Sequence, residues 1–388
     1  MKHLIFIFIL LQAVLLQASD LTIYVYPPSS DLDWSSPHRL LRSFLGTEIS
    51  KNDNDWVDYE DENGLRRTFT SNYISTMGHT IGHIRCQLPS GQLYERWVSF
   101  SGQNYSEVDK DLALNKKIGL GVLKYSYIDG HMIVGEENLK RLIHYANDNG
   151  AEPRYMQVPL NADKCKNLAE MTEFFISFNR RFLQPNGTPY PGKTPYAVLS
   201  AIEQRAPWEN LRFNTDDPYT AYLQRKTNPR SLVGGGCAPF GAALLKMAGY
   251  YDTQYFDSIW KRPVVFSTKL VGVPGVREVS AINLLLGLEG NHWVYDGYPN
   301  ERLDMYDPQL IWNFIGQVQS CLSGSCDSRT AAWMSRLHVS AGLSHSYEGS
   351  YVQVIRKKRR PDGKGFTPEK RIQRNKRIEV SGIVLQKR

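Results

Sequence analysis

Beyond its first nineteen residues the chain has no apolar run long enough to cross a bilayer, so a membrane-spanning helical fold is not expected. It has no internal repeat, which argues against solenoids and propellers. Charged residues are 22% and apolar residues 41%, ordinary globular usage, so disorder is not expected either. Cysteine is sparse and odd in number: Cys86, Cys165, Cys237, Cys321 and Cys326. His79, His83 and Cys86 have tempting spacing for zinc, but no Cys-x-x-Cys and no second His-x3-His accompanies them. Gly82 also discourages the helix that a His79–His83 ligand pair needs. No metal and no cofactor is therefore expected.

What is present begins with an export signal. Met1-Lys2-His3 is a short basic start, Leu4 to Leu16 is apolar except for Gln12, and Gln17-Ala18-Ser19 offers small-residue cleavage. Residues 1–19 read as a secretory signal peptide, which predicts a periplasmic or extracellular protein. In an oxidising compartment Cys321 and Cys326 can close a small loop, and Cys86 and Cys165 can pair. Cys237 is then left over, and an unpaired thiol in an exported protein is a liability unless it is used.

The aromatic content is rich, 12% with 22 Tyr. Leu21–Tyr26 alternates and reads as the first strand. Lys51–Asn63 reads as a polar surface loop. His83–Leu88 and Leu93–Phe100 alternate around the turn Pro89-Ser90-Gly91-Gln92, a β-hairpin with histidine at its start. Strands are expected at 120–127, 131–134 and 155–160, and helices at 136–147 and 164–182. In the second helix Leu168, Met171, Phe174, Phe175 and Phe178 share one face, which is core. Residues 184–232 form a long insertion rich in Pro, Asn and Thr, with a helical piece near Tyr196–Gln204. Further expectations are a strand at 262–271, a helix at 308–318, and strands at 350–355 and 378–385.

The organising stretch is Gly234-Gly235-Gly236-Cys237-Ala238-Pro239-Phe240, followed by an apolar run to Ala248 and then Gly249. Pro239 suits a first helical turn and Gly249 a helix end. Cys237 is thus predicted at a helix N-terminus, where the dipole favours a thiolate. A thiol nucleophile needs a base, usually histidine. The segment Met77-Gly-His79-Thr-Ile-Gly-His83-Ile-Arg-Cys86 offers two. His83, opening the hairpin strand, is the preferred base, and His79 is the alternative. For the orienting third group, a turn centred on Ser90-Gly91 pairs His83 with Val98. This brings Ser99 near and puts Glu95 on the opposite face. Ser99 and Glu95 are the candidates.

Gly78-His79-Thr80 and Gly82-His83-Ile84, a hairpin, a strand-plus-helix over 155–182, and then Cys237-Ala238 at a helix start together resemble the circularly permuted NlpC/P60-like, papain-like thiol proteins. The resemblance is strongest to the periplasmic thiol domain of the bacterial lipoprotein N-acyltransferase group, and it spans roughly residues 70–250. It implies an α+β fold in permuted papain-like order, with residues 20–260 as the thiol domain and 261–388 as a C-terminal β-containing extension. It also implies Cys–His acyl chemistry, hydrolysis or transfer, on a cell-envelope substrate, either a peptidoglycan peptide or a lipid or lipoprotein. An inactive envelope-binding module of the same fold is the alternative.

Net charge is +7, but from Arg356 to Arg388 there are 13 Lys/Arg against three acids, a balance of +10, leaving −3 (7 minus 10) elsewhere. The basic C-terminus offers an anionic polymer or lipid surface as a partner. Nucleic acid is not expected for an exported chain.

Overall fold

The computed structural model describes residues 19–28, 32–40, 56–60, 66–70, 78–102, 128–135, 138, 152–181, 194–196, 204–206, 211–214, 218–227, 232–233, 236–270, 279, 281–359 and 366–388. The signal-like stretch before Ser19, the expected strand 120–127 and nearly all of the expected helix 136–147 lie outside them.

The strands are β1 (Asp20–Tyr26), β2 (Trp56–Glu60), β3 (Arg66–Thr70), β4 (His79–Gln87), β5 (Leu93–Gly102), β6 (Ile128–Val134), β7 (Arg154–Pro159), β8 (Thr194–Tyr196), β9 (Gln204–Ala206), β10 (Leu211–Asn214), β11 (Leu232–Val233), β12 (Lys261–Ser267), β13 (Asn300–Tyr306), β14 (Leu337–Ala341), β15 (His345–Arg359) and β16 (Phe366–Lys387). The helices are α1 (Ala162–Arg181), α2 (Pro218–Thr227), α3 (Cys237–Ala248), α4 (Thr253–Trp260), α5 (Ala281–Leu286), α6 (Pro308–Leu322) and α7 (Ser328–Met334). The fold is mixed, broadly α+β. One curled sheet runs in the order β3-β2-β15-β16-β7-β1-β4-β5-β6-β8, with β14 also on β16. The C-terminal segment does not stand apart from this sheet, because β16 lies parallel beside β7, only one strand away from β1.

Alternation along β1 and β4 divides the interior in two. Leu21, Ile23, Val25, Ile84 and Cys86 face the helices in one core, with Phe175 of α1, Leu244 of α3 and Phe314 of α6. Tyr24, Tyr26 and Ile81 face the other way, into a second cluster with Tyr155, Ile378 and Val380. Helix α1 is capped by Asn161, whose Oδ1 accepts from Lys164 N at 2.9 Å. It is tied to β4 by the Cys86–Cys165 disulfide, and Cys321–Cys326 closes a loop at the end of α6. Two disulfides suit a compartment outside the reducing cytosol. No helix among the described residues is long and apolar enough to cross a membrane.

Helix α3 is apolar on nearly every side because it is buried on nearly every side, with only Lys246 and Gly249 partly accessible. It ends as its sequence dictates. Gly249 adopts φ 77°, and the Tyr250 N–H reaches Leu245 O at 3.0 Å, closing the left-handed cap. Two glycines let it approach β4. A Cβ on Gly241 would lie 3.1 Å from Thr80 Oγ1, and one on Gly82 would run into Leu244 Cδ1. The substitution Gly82→Ala is therefore expected to overpack this contact at a cost of about 1–3 kcal/mol. The check is a urea titration: a lower midpoint at unchanged slope.

Several sequence expectations change. Residues 56–60, read as loop, form β2, whose acidic positions break the apolar signal of a strand. The insertion at 184–232 carries strands at Thr194–Tyr196 and Gln204–Ala206, bracketing the stretch expected to be helical. Its described helix, α2, packs into the core, with Tyr222 against Phe174 at 5.3 Å.

Candidate active site

Cys237 is the first residue of α3, buried, and the one cysteine outside the disulfides. Gly236 precedes it in extended conformation and brings no side-chain cap, so backbone alone shapes the approach. Pro239 sits third in the helix, where an N–H would have no intrahelical acceptor. The thiol-bearing turn is seated on β4 by a side-chain bond: Thr80 Oγ1 donates to the Cys237 carbonyl oxygen, with Thr80 itself buried.

This bond sets the start of α3 against Thr80, the residue that follows His79 in β4. Helix α3 runs along β4, with Gly241 over Thr80 and Leu244 over Gly82. Cys237 is therefore at the beginning of β4, beside the position of His79. His83 lies four residues further on, about 13 Å along the strand. His79 is buried, and its ring lies against Tyr26, its pairing partner in β1, with centroids 5.5 Å apart. Strand alternation assigns Thr80 and Gly82 to the helix side and the ring of His79 to the Tyr26 side. Gly78 enables this entry into β4. It takes φ 77°, and a Cβ there would sit 2.6 Å from Tyr26 O.

His83 belongs to a different constellation. Its ring stacks on Trp97 at 4.2 Å and 16°, and its Nε2 lies 3.1 Å from Glu95 Oε1. The turn Leu88–Gln92 sets Gln87 opposite Leu93, so His83 pairs with Trp97 rather than Val98. This one-residue difference in register moves Glu95 to the face of His83, where the simpler turn had set it opposite. Ser99 is buried on the same strand and donates to Asn138 Oδ1 at 2.6 Å, a structural bond that ties β5 to the chain after β6. Cys86 is consumed by its disulfide. Thr80 is the residue that sequence reasoning passed over. Its signal was in the motif, directly after His79, but a threonine in a strand is too ordinary to attract notice.

No family model, no curated protein and no solved structure matches the chain. The site therefore stands on its own geometry.

Burial pushes the His83 imidazole below its ordinary value, against the Glu95 and Asp20 carboxylates, which favour the cation; Arg85 adds to the fall. Burial likewise pushes the Asp20 carboxyl up, against hydrogen bonds from Gln157 and Thr22 and the charges of His83 and Arg85. For His83 the folded state prefers the neutral ring, while the unfolded chain titrates near 6.5. Its contribution to stability is full above about pH 6.5 and is lost as the pH falls below that value. Asp20 acts oppositely at lower pH, since protonation relieves the folded state. The wild type is thus expected to lose urea stability between pH 7.5 and pH 5.5, and His83→Gln to flatten that slope. An unchanged slope would show that other groups carry it.

Proposed function

We propose that the chain is an exported thiol enzyme with a permuted papain-like core, and that Cys237 performs acyl chemistry with His79 as its base. The seating of the Cys237 carbonyl on Thr80, the residue next to His79, is the observation that carries this reading. In the proposed cycle the Cys237 thiolate attacks an amide or ester carbonyl. A C–S bond forms, and the carbonyl electrons move onto oxygen, stabilised by backbone N–H groups at the start of α3. Collapse expels the amine or alcohol, which takes a proton from the His79 imidazolium. Water or an amine, deprotonated by His79, then resolves the thioester. The substrate class is a cell-envelope acyl compound, either a peptidoglycan stem peptide or a lipid or lipoprotein.

The test is acylation itself. Incubation with a p-nitrophenyl acyl ester is expected to give a burst of nitrophenol and an acyl group that peptide mass mapping finds on Cys237. A second reading has its own observation. Alternation directs the His79 ring toward Tyr26, away from the helix side, which suits an envelope-binding module with no catalytic thiol. A chain that gives no burst and no adduct on Cys237 supports that module instead.

A further inference from the structure

Strand β16 is longer than the core requires. Its Ser381–Val384 portion pairs with β7 and Ile383–Lys387 with β14. The preceding portion, 366–380, pairs with β15 along one edge, and among the described residues no strand occupies its other edge. This portion runs on the order of 50 Å. The ribbon carries the charge: Arg356–Arg359 are four consecutive bases, and residues 366–380 of β16 add Lys370, Arg371, Arg374, Lys376 and Arg377 against two acids, Glu369 and Glu379, the second of which pairs with Arg377 at 2.9 Å.

The register does not neutralise these charges. Arg356 is opposite Lys370, Lys358 opposite Thr367, Arg371 opposite Val354, and Arg374 opposite Tyr351. Only Arg377 has an acid across the ladder, Glu348. Bases in paired positions destabilise a ribbon unless an anion joins them. A few lysines suffice to keep an open edge from aggregating, and that role gives no reason to set Arg356 against Lys370. The distribution also bears on the shape of the partner. Lys370 and Arg371 are consecutive strand positions, as are Lys376 and Arg377, so bases occupy positions on both faces of the ribbon. A flat bilayer meets one face at a time, whereas a flexible linear polymer can follow both.

We propose that the β15–β16 ribbon is a docking arm for a linear polyanion of the cell envelope, one with repeating phosphate, sulfate or carboxylate groups, and that both faces take part. This does not depend on the chemistry of Cys237. The experiment uses the full chain with dextran sulfate as the probe, neutral dextran as the uncharged control and phosphatidylglycerol vesicles as the planar surface. Dextran sulfate binding is expected to weaken about tenfold or more between about 50 and about 200 mM salt, by counterion release. The set Lys370→Gln, Arg374→Gln and Lys376→Gln is expected to weaken it about tenfold, and so is the set Lys358→Gln and Arg371→Gln from the other face. Neutral dextran is expected not to bind. Equal binding of neutral dextran overturns the proposal, as does either set binding like the wild type. Vesicle binding that responds to one set alone identifies a bilayer as the partner and equally overturns it. Each variant is checked for an unshifted thermal transition. A set that shifts it is replaced by single substitutions scored against the same outcomes.

Discussion

The substitution His79→Ala is expected to slow acylation of Cys237 by two to four orders of magnitude, about 10²–10⁴-fold, the range a positioned proton-transfer group supplies. The parallel substitution His83→Ala is expected to change that rate less than about threefold. The contrast follows from where α3 begins. Its first residue meets β4 at Thr80, and its second turn has already reached Gly82. His83 is therefore beside the middle of the helix, held by Trp97 and Glu95, and its proton has another destination. Comparable losses from both variants would mean that the base is not assigned by proximity to the helix start. A loss from His83→Ala alone would restore the assignment that the hairpin motif suggests at first sight. Because His79 is buried, the rate is to be read beside an unfolding curve, so that a misfolded variant is recognised as one.

The second large effect is on stability, and the two disulfides are expected to differ. Cys86–Cys165 closes a chain separation of 79 residues, and Cys321–Cys326 one of 5. The chain-entropy cost of opening them scales with the logarithm of loop length, giving about 4 kcal/mol for the first and about 2 kcal/mol for the second. The first also links β4 to α1 within the core, whereas Cys326 is exposed at the surface. The double variant Cys86→Ala with Cys165→Ala is thus expected to lose roughly twice the free energy of Cys321→Ser with Cys326→Ser, measured by urea unfolding. Equal losses would indicate that residual structure in the unfolded chain, not loop length, sets the scale.

The parts of this fold legible in the sequence are those governed by local chemistry. Gly249 announced the end of α3, and Pro239 its first turn, because each satisfies a backbone rule independent of neighbours. The hairpin β4–β5 was visible from alternation, but its register was not. A five-residue connection and a four-residue one differ by a single position, and that position decides whether Glu95 meets His83. Strand β16 was half hidden. Ile378–Leu385 reads as a strand, while the basic run before it has too few apolar residues to show a period. The site shows the same division. Cys237 was marked by its glycines and its odd number among the cysteines, whereas the identity of its neighbour depended on how a helix lies across a sheet. That depended in turn on two glycines, Gly82 and Gly241, whose role is to be absent as side chains.

The most direct measurement is the pH dependence of Cys237 alkylation by iodoacetamide, in the wild type and in His79→Ala. An ordinary thiol, with a midpoint of about 8.5, reacts several times more slowly at pH 6.5 than at pH 7.5. With His79 as the base, the wild-type rate is expected to be nearly level between those two pH values, and the ordinary steep dependence to return when His79 is removed. A wild-type profile that already climbs like an ordinary thiol, and is indifferent to His79, would contradict that assignment.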